Sequence, residues 1–419
     1  MNSEGAPAVP GQFPLDVAQL QALVARYPTP FYLYDAAGMQ RSARALQQAF
    51  AWAPTFREFF AVKATPNPHI LALLAAAGCG ADCSSLAELV LAERVGLSGE
   101  LIMFTSNTTP AEEFIQARRL GALINLDDLN HLAFLAHHAG LPAILSFRYN
   151  PGAQRTGNVI IGRPEEAKFG VTRDQLFAGY AAARDQGIRR FGLHTMLASN
   201  EREPSYFVET ARMLFELVAE LSASLAISFE FVNLGGGIGI PYRPEEAPVD
   251  LHALGAGIRA VYEATFDGTG LPRPAIFTEC GRLITGPHGY LIASVRHIKQ
   301  TYRTYAGLDA SMANLMRPGM YGAYHHITVP AKAHLPNATL YDITGSLCEN
   351  NDKFAIQRPL PTLAPGDLLV IHDAGAHGHA MGFSYNGKLR SAELLLEADG
   401  QIRMIRRAET IEDYLQTIV

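Results

Sequence analysis

The sequence predicts an α/β chain: a (β/α)8 TIM-type barrel followed by a second, mostly antiparallel β domain. Between about residue 57 and residue 282, short apolar runs alternate with longer stretches of helical period, the pattern of repeated βα units around a parallel sheet. Eight such runs are present, the number that closes a barrel. After residue 285 the pattern changes to short β-rich pieces separated by turns. With 419 residues and 48% hydrophobic content, the chain is long enough to split into two cores. The expected division is a barrel over 36–285 and a β-rich domain made of 1–35 and 286–419.

The elements follow in chain order. "TPFYLYD" (29–35) reads as a strand able to pair with the second domain, and 36–50 as a linking helix. The barrel strands are "EFFAVK" (58–63), "CGADC" (79–83), "LIMFT" (101–105), "ALIN" (122–125), "AILSFRY" (143–149), "RFGLHT" (190–195), "FEFVNLG" (229–235) and "AIFTE" (275–279). Between them lie helical segments such as "PHILALLAAAG", "SLAELVLAERVG", "TPAEEFIQARRLG", "LDDLNHLAFLAHHAG" and "PSYFVETARMLFELVAELSASL". Most close on the glycine that helix C-termini favour. In the second domain "GYLIASVRHIKQ", "TLYDITGSLC", "GDLLVIHDAG", "SAELLLEADG" and "QIRMIRR" read as strands.

Composition restricts the function. A formal net charge of −6 without a basic stripe argues against nucleic acid and for a small-molecule ligand. Four cysteines are too few for a disulfide framework, and Cys79 and Cys83 lack the spacing and partner pair of a zinc site, so no metal is expected. No apolar run approaches the ~20 residues that span a bilayer, and the first residues lack a signal peptide's pattern, which reads as a cytoplasmic protein away from membranes.

Barrel chemistry sits at the C-terminal ends of the strands. Lys63 ends the first strand, Asp82 the second and His194 the sixth. The run "NLGGGIG" follows the seventh, and Glu279 with Arg282 ends the eighth. A glycine-rich turn feeding a helix N-terminus exposes N–H groups that cradle a phosphate, and Arg282 completes an anion clamp. Taken singly, a strand-end lysine is a solvated edge residue, the glycines a turn, and Glu279 with Arg282 a structural ion pair. Their co-location on one barrel face points instead to pyridoxal phosphate, because a desolvated lysine loses its charge easily and the neutral amine forms a Schiff base.

The same residues resemble the fold-type III, alanine-racemase-like pyridoxal phosphate decarboxylases, and within them the diaminopimelate decarboxylases. The likeness runs from "TPFYLYD" through "FFAVKATPN", "GADCSSLAEL", "FRYNPG", "KFGV", "NLGGGIGIPY" and "ECGR" to "LMRPGMYGAYHHI", "GSLCENNDKF", "HDAG" and "YNGKLRSAELLL". The resemblance implies that Lys63 anchors the cofactor and that Ser199, Gly235, Gly236 and Gly237 bind its phosphate. Asp82, His194, Met196, Gly281 and His377 fall at cofactor-contacting positions, and Glu279 pairs with the pyridine nitrogen. It also implies that Arg282, Arg317, Tyr321, Glu349 and His377 hold the substrate, and that Cys348 donates a proton from the second subunit of a homodimer with shared active sites. Arginines at the substrate's distal end suit a distal carboxylate, because buried cations require anionic partners. The function implied is decarboxylation of meso-2,6-diaminopimelate at its D-centre to L-lysine and CO2, a step of lysine biosynthesis.

Three positions depart from the family pattern. "HxHIGS" is "HTMLAS", so Met196 stands where a histidine stacks on the cofactor; a thioether packs on a ring without offering an N–H. "EPGR" is "ECGR", with Cys280 in place of proline. "GAYG" is "GAHG", which puts the pH-sensitive His377 where a tyrosine stands. These changes open the alternative of a diverged paralogue that decarboxylates a related amino acid with a distal carboxylate, such as a siderophore or antibiotic precursor. A racemase of the same fold is disfavoured by the "CEN" motif, and a non-catalytic homologue by the retention of Lys63, Glu279 and Cys348. His325, His326 and His379 read as surface or hydrogen-bonding residues rather than metal ligands.

Overall fold

The computed structural model describes residues 13–155 and 162–419. The chain divides into two compact units: a sheet unit of Met1–Met39, Pro241–Pro248 and Thr285–Val419, and a barrel unit of Gln40–Ile240 and Val249–Ile284. The first strand, β1 (Phe31–Asp35), belongs to the sheet unit.

The next eight strands form the closed, all-parallel barrel: β2 (Phe56–Ala61), β3 (Gly80–Cys83), β4 (Ile102–Ser106), β5 (Leu123–Leu126), β6 (Ile144–Tyr149), β7 (Arg190–Thr195), β8 (Phe229–Asn233) and β9 (Ala275–Thr278). Each lies within two residues of a run singled out in the sequence. The helices Pro68–Ala76, Leu86–Arg94, Ala111–Leu120 and Asn130–His138 are followed by Gly78, Gly96, Gly121 and Gly140, all at positive φ, where glycine ends a helix without strain. Two barrel helices, Arg173–Asp185 and Leu251–Phe266, escaped the sequence reading. The first carries a recognisable start, a capping box between Thr172 and Gln175.

Side chains of the barrel strands alternate inward and outward. One inward layer is apolar and contains Phe59, Met103, Leu123, Ile144, Phe231 and Phe277. Phe231 and Phe277 stack with centroids 4.7 Å apart. Gly192 gives them room, since a Cβ there would meet the Phe231 ring at 2.0 Å. Two residues further along, five of these six positions turn polar, with Thr105, Asn125, Ser146, Asn233 and Glu279 and only Ala61 apolar, and that second layer carries the candidate site.

The sheet unit holds β1 together with β10 (Gly289–Gln300), β11 (Thr304–Leu308), β12 (Ile327–Thr328), β13 (Thr339–Thr344), β14 (Lys353–Leu360), β15 (Leu368–Ile371), β16 (Ala392–Leu396) and β17 (Ile402–Arg406). β1 lies between β10, antiparallel to it, and β16, parallel to it. β11 and β13 make the other parallel pair, and the remaining pairs are antiparallel. Phe31 and Leu33 of β1 pack with Leu20, Leu23, Ile292, Val370 and Leu394 into this unit's core. β14 was not anticipated as a strand: its pairing with β13 slips twice, and Gln357 sits at φ 47°, so its alternation is broken.

Candidate active site

The polar layer at the barrel's carboxyl end is joined by hydrogen bonds that run from strand to strand. Asn125 on β5 donates through Nδ2 to Thr105 Oγ1 on β4 at 3.2 Å and to His194 Nδ1 on β7 at 3.0 Å. With Nδ1 accepting, the ring proton of His194 sits on Nε2, which lies 3.0 Å from Glu279 Oε2. Asn233 on β8 donates to Glu279 Oε1 at 2.7 Å. Burial alone would raise the Glu279 carboxyl, but His194, Lys63 and Asn233 together hold it well below the usual carboxylate range. Glu279 is therefore a buried, oriented carboxylate, 8% exposed.

Several expectations about this face are corrected. Lys63 does not end a strand: β2 stops at Ala61, and Lys63 lies in the single turn Val62–Ala64. Its side chain is 51% exposed, and Nζ makes an ion pair with Asp82 Oδ2 at 3.1 Å. The Asp82 charge raises the Lys63 pKa despite some desolvation, so the expected charge-poor lysine is instead a stabilised ammonium. Burial and the nearby Glu279 push Asp82 upward in turn, with Lys63 pulling it back. Strand β9 ends at Thr278, one residue before Glu279, and Arg282 opens the short helix Arg282–Thr285.

The glycine turn does not feed a helix N-terminus, because the next helix begins only at Leu251. It is nevertheless a cradle that no side chain would fit. A Cβ at Gly235, Gly236 or Gly237 would lie 2.3, 2.1 or 2.3 Å from the backbone oxygens of Thr195, Glu279 and Ala198. Gly235 and Gly237 also have positive φ. Met196 Sδ accepts the Gly236 N–H at 3.2 Å. Arg282 Nη2 lies 3.4 Å from Ser199 Oγ. Gly281 is needed for packing: a Cβ there would meet Ala64 Cβ at 2.6 Å, in the turn that carries Lys63.

The remaining predicted residues belong to the sheet unit. Arg317 is 4% exposed and donates through Nη1 to the Tyr242 hydroxyl at 2.6 Å and to His325 Nε2 at 3.2 Å. Cys348 is exposed; its N–H donates to Asn386 Oδ1 at 2.9 Å, and Asn386 Nδ2 lies 3.5 Å from its Sγ. Glu349 and Tyr321 are exposed, and His377 is half-buried at φ 56°. His379 accepts from Arg390 and bonds the Ser391 carbonyl. Sequence reasoning missed Asn125, Asn233, Tyr242, Asp373 and Asn386. Asn233 and Tyr242 were within reach, since both lie in the quoted run "NLGGGIGIPY".

A half-exposed amine, an ionised carboxylate backed by a histidine, and a glycine cradle beside a serine and an arginine match what pyridoxal phosphate asks of a protein at its aldehyde, its ring nitrogen and its phosphate. A barrel enzyme working through that cofactor is the class these features define. Residues 36–286 match the family described as "Pyridoxal-dependent decarboxylase, pyridoxal binding domain", and the chain belongs to that family as a pyridoxal phosphate-dependent amino-acid decarboxylase. Among its relatives, Protein TabA of Pseudomonas amygdali pv. tabaci is 44% identical over 402 residues, covering 96% of this chain and 93% of the relative. The diaminopimelate decarboxylase of Methanothermobacter thermautotrophicus is 34% identical over 397 residues, covering 94% and 92%. The solved structure of diaminopimelate decarboxylase from M. jannaschii in co-complex with L-lysine is similar at a TM-score of 0.88 and 30% identity, covering 96% and 94%.

Proposed function

We propose that the chain decarboxylates meso-2,6-diaminopimelate at its D-configured carbon, giving L-lysine and CO2. The observation that carries this reading is the buried Arg317, a cation of fixed position suited to a substrate's distal carboxylate. The match over nearly the full length of diaminopimelate decarboxylases supports it.

In this reading the chain's own residues divide the work. Lys63 would hold the cofactor at its aldehyde through the side-chain amine. The glycine turn, Ser199 and Arg282 hold the phosphate, with Met196 packed against the turn. Glu279, kept ionised by His194 and Asn233, holds a proton on the ring nitrogen. Pyridoxal phosphate, when bound, supplies a cationic ring that takes up the electron pair left when CO2 departs. Cys348, with Asn386 at its sulfur, delivers a proton to the carbon. Arg317, Tyr321, Glu349 and His377 orient the substrate. Exposure of Cys348 and Glu349 on the single chain agrees with a homodimer in which these residues serve a second copy. Among the described residues no helix is long and apolar enough to cross a membrane.

A second reading is favoured by one comparison. Protein TabA shares more identity with the chain than do the diaminopimelate decarboxylases named above, which suits a diverged paralogue acting on another amino acid with a distal carboxylate. Product analysis separates the two: L-lysine and CO2 in equal amounts from meso-diaminopimelate support the first reading, and their absence from active holoenzyme supports the second.

A further inference from the structure

Glu58 is a buried carboxyl that the chemistry above does not use. It is fully inaccessible to solvent and lies on β2, where register pairs it with Thr278 of β9. Its neighbour Phe59 and Phe277 of β9 both point into the barrel core, so strand alternation turns Glu58, Thr278 and Cys280 to the outer face and Glu279 inward. From that outer face Glu58 grips both sides of Glu279. Its Oε1 accepts the Cys280 N–H at 2.7 Å, and its Oε2 accepts the Thr278 hydroxyl at 2.5 Å.

We infer that Glu58 is a positioning residue for Glu279: by holding residues 278 and 280 from outside the barrel, it fixes the direction in which the Glu279 carboxylate enters. This rests on the reading that Glu279 contacts the cofactor. A carboxyl on the outer, helix-covered face of a sheet is unfavourable unless hydrogen-bonded, and an apolar side chain would pack there without that requirement. The sequence carries the matching half of the device. Cys280 keeps a backbone N–H, which a proline would lack, and that N–H is the donor Glu58 accepts. The same segment is tied inward as well, since the Glu279 N–H donates to the Gly235 carbonyl at 2.8 Å. The Glu58 brace therefore reaches both the carboxylate and the glycine cradle. Burial raises the Glu58 pKa, whereas His194, Lys63 and Asn233 hold that of Glu279 low against its own burial.

The test uses holoenzyme carrying Glu58→Leu, Glu58→Gln, Cys280→Pro, Cys280→Ala or Glu279→Gln. Three quantities are read: cofactor affinity by titration, the pH dependence of the bound cofactor's visible absorbance, and thermal unfolding. Glu58→Leu, which strands the Cys280 N–H and the Thr278 hydroxyl, and Cys280→Pro, which strands a Glu58 oxygen, should each weaken cofactor affinity about tenfold or more. Both should also move the absorbance titration in the direction that Glu279→Gln moves it. Glu58→Gln keeps an acceptor for the Cys280 N–H, and Cys280→Ala keeps the N–H itself, so both should stay native. In the Glu279→Gln background, Glu58→Leu should leave the titration where it is. If Glu58→Leu does not fold, Thr278→Val removes one of the two bonds and should weaken affinity about threefold. Lowered thermal stability with unchanged affinity and titration would overturn the inference while Glu279→Gln still shifts both. If Glu279→Gln shifts neither, the assignment of Glu279 fails and the inference falls with it.

Discussion

Lys63 Nζ stands 3.1 Å from Asp82 Oδ2, and the carboxylate holds the amine in its charged form. In the role proposed for Lys63, the amine must shed a proton before it captures an aldehyde, which ties the pH of cofactor loading to this pair. Asp82→Asn should shift the pH profile of cofactor capture, followed by visible absorbance, to lower pH. Lys63→Ala should abolish the band. An unshifted profile in Asp82→Asn would show that the pair does not control the amine.

Arg317→Ala should raise KM for a substrate with a distal carboxylate about ten- to a hundredfold, the range for losing a hydrogen bond to a charged group. Cofactor affinity should not change, because the proposed reading gives Arg317 to the substrate's distal end and not to the cofactor. Substrate titration of the holoenzyme checks this, and an unchanged KM would remove Arg317 from substrate recognition.

Asp373 is buried next to Arg317 at φ 55°, and burial raises its pKa to about 7 against the pull of that guanidinium. Between about pH 4 and pH 7 the native state therefore holds a proton that the unfolded chain has lost, and this group's contribution to stability falls as pH rises across that window. Asp373→Asn should remove that part of the slope when Tm is measured at several pH values. Parallel Tm curves for the two proteins would place the Asp373 pKa near that of an ordinary carboxyl.

The barrel was legible because its strands are short and apolar, because most of the helices between them close on glycine, and because polar residues at strand ends are conspicuous there. Lys63, Asp82, His194 and Glu279 stood out for that reason. Asn125 sat unnoticed inside "ALIN", since its meaning is a bond to His194 on another strand. Glu58 looked like the first residue of a strand, and nothing local reveals a partner 222 positions later. The charge of Lys63 was misjudged because sequence shows the apolar run before it and not the carboxylate folded against it.

His377, which the family resemblance matches to a tyrosine, sits at φ 56°. His377→Tyr should preserve or raise turnover if the two side chains serve the same contact. Complete loss of activity in a folded protein would give the histidine a role of its own.

The most direct test of the account is CO2 release by the cofactor-loaded enzyme, with meso-diaminopimelate, D-ornithine, D-lysine and their L forms supplied in parallel. Rapid release from meso-diaminopimelate alone, with L-lysine as the other product, is expected. Turnover of ornithine or lysine, which lack a distal carboxylate, or silence on every substrate with cofactor bound, would contradict it.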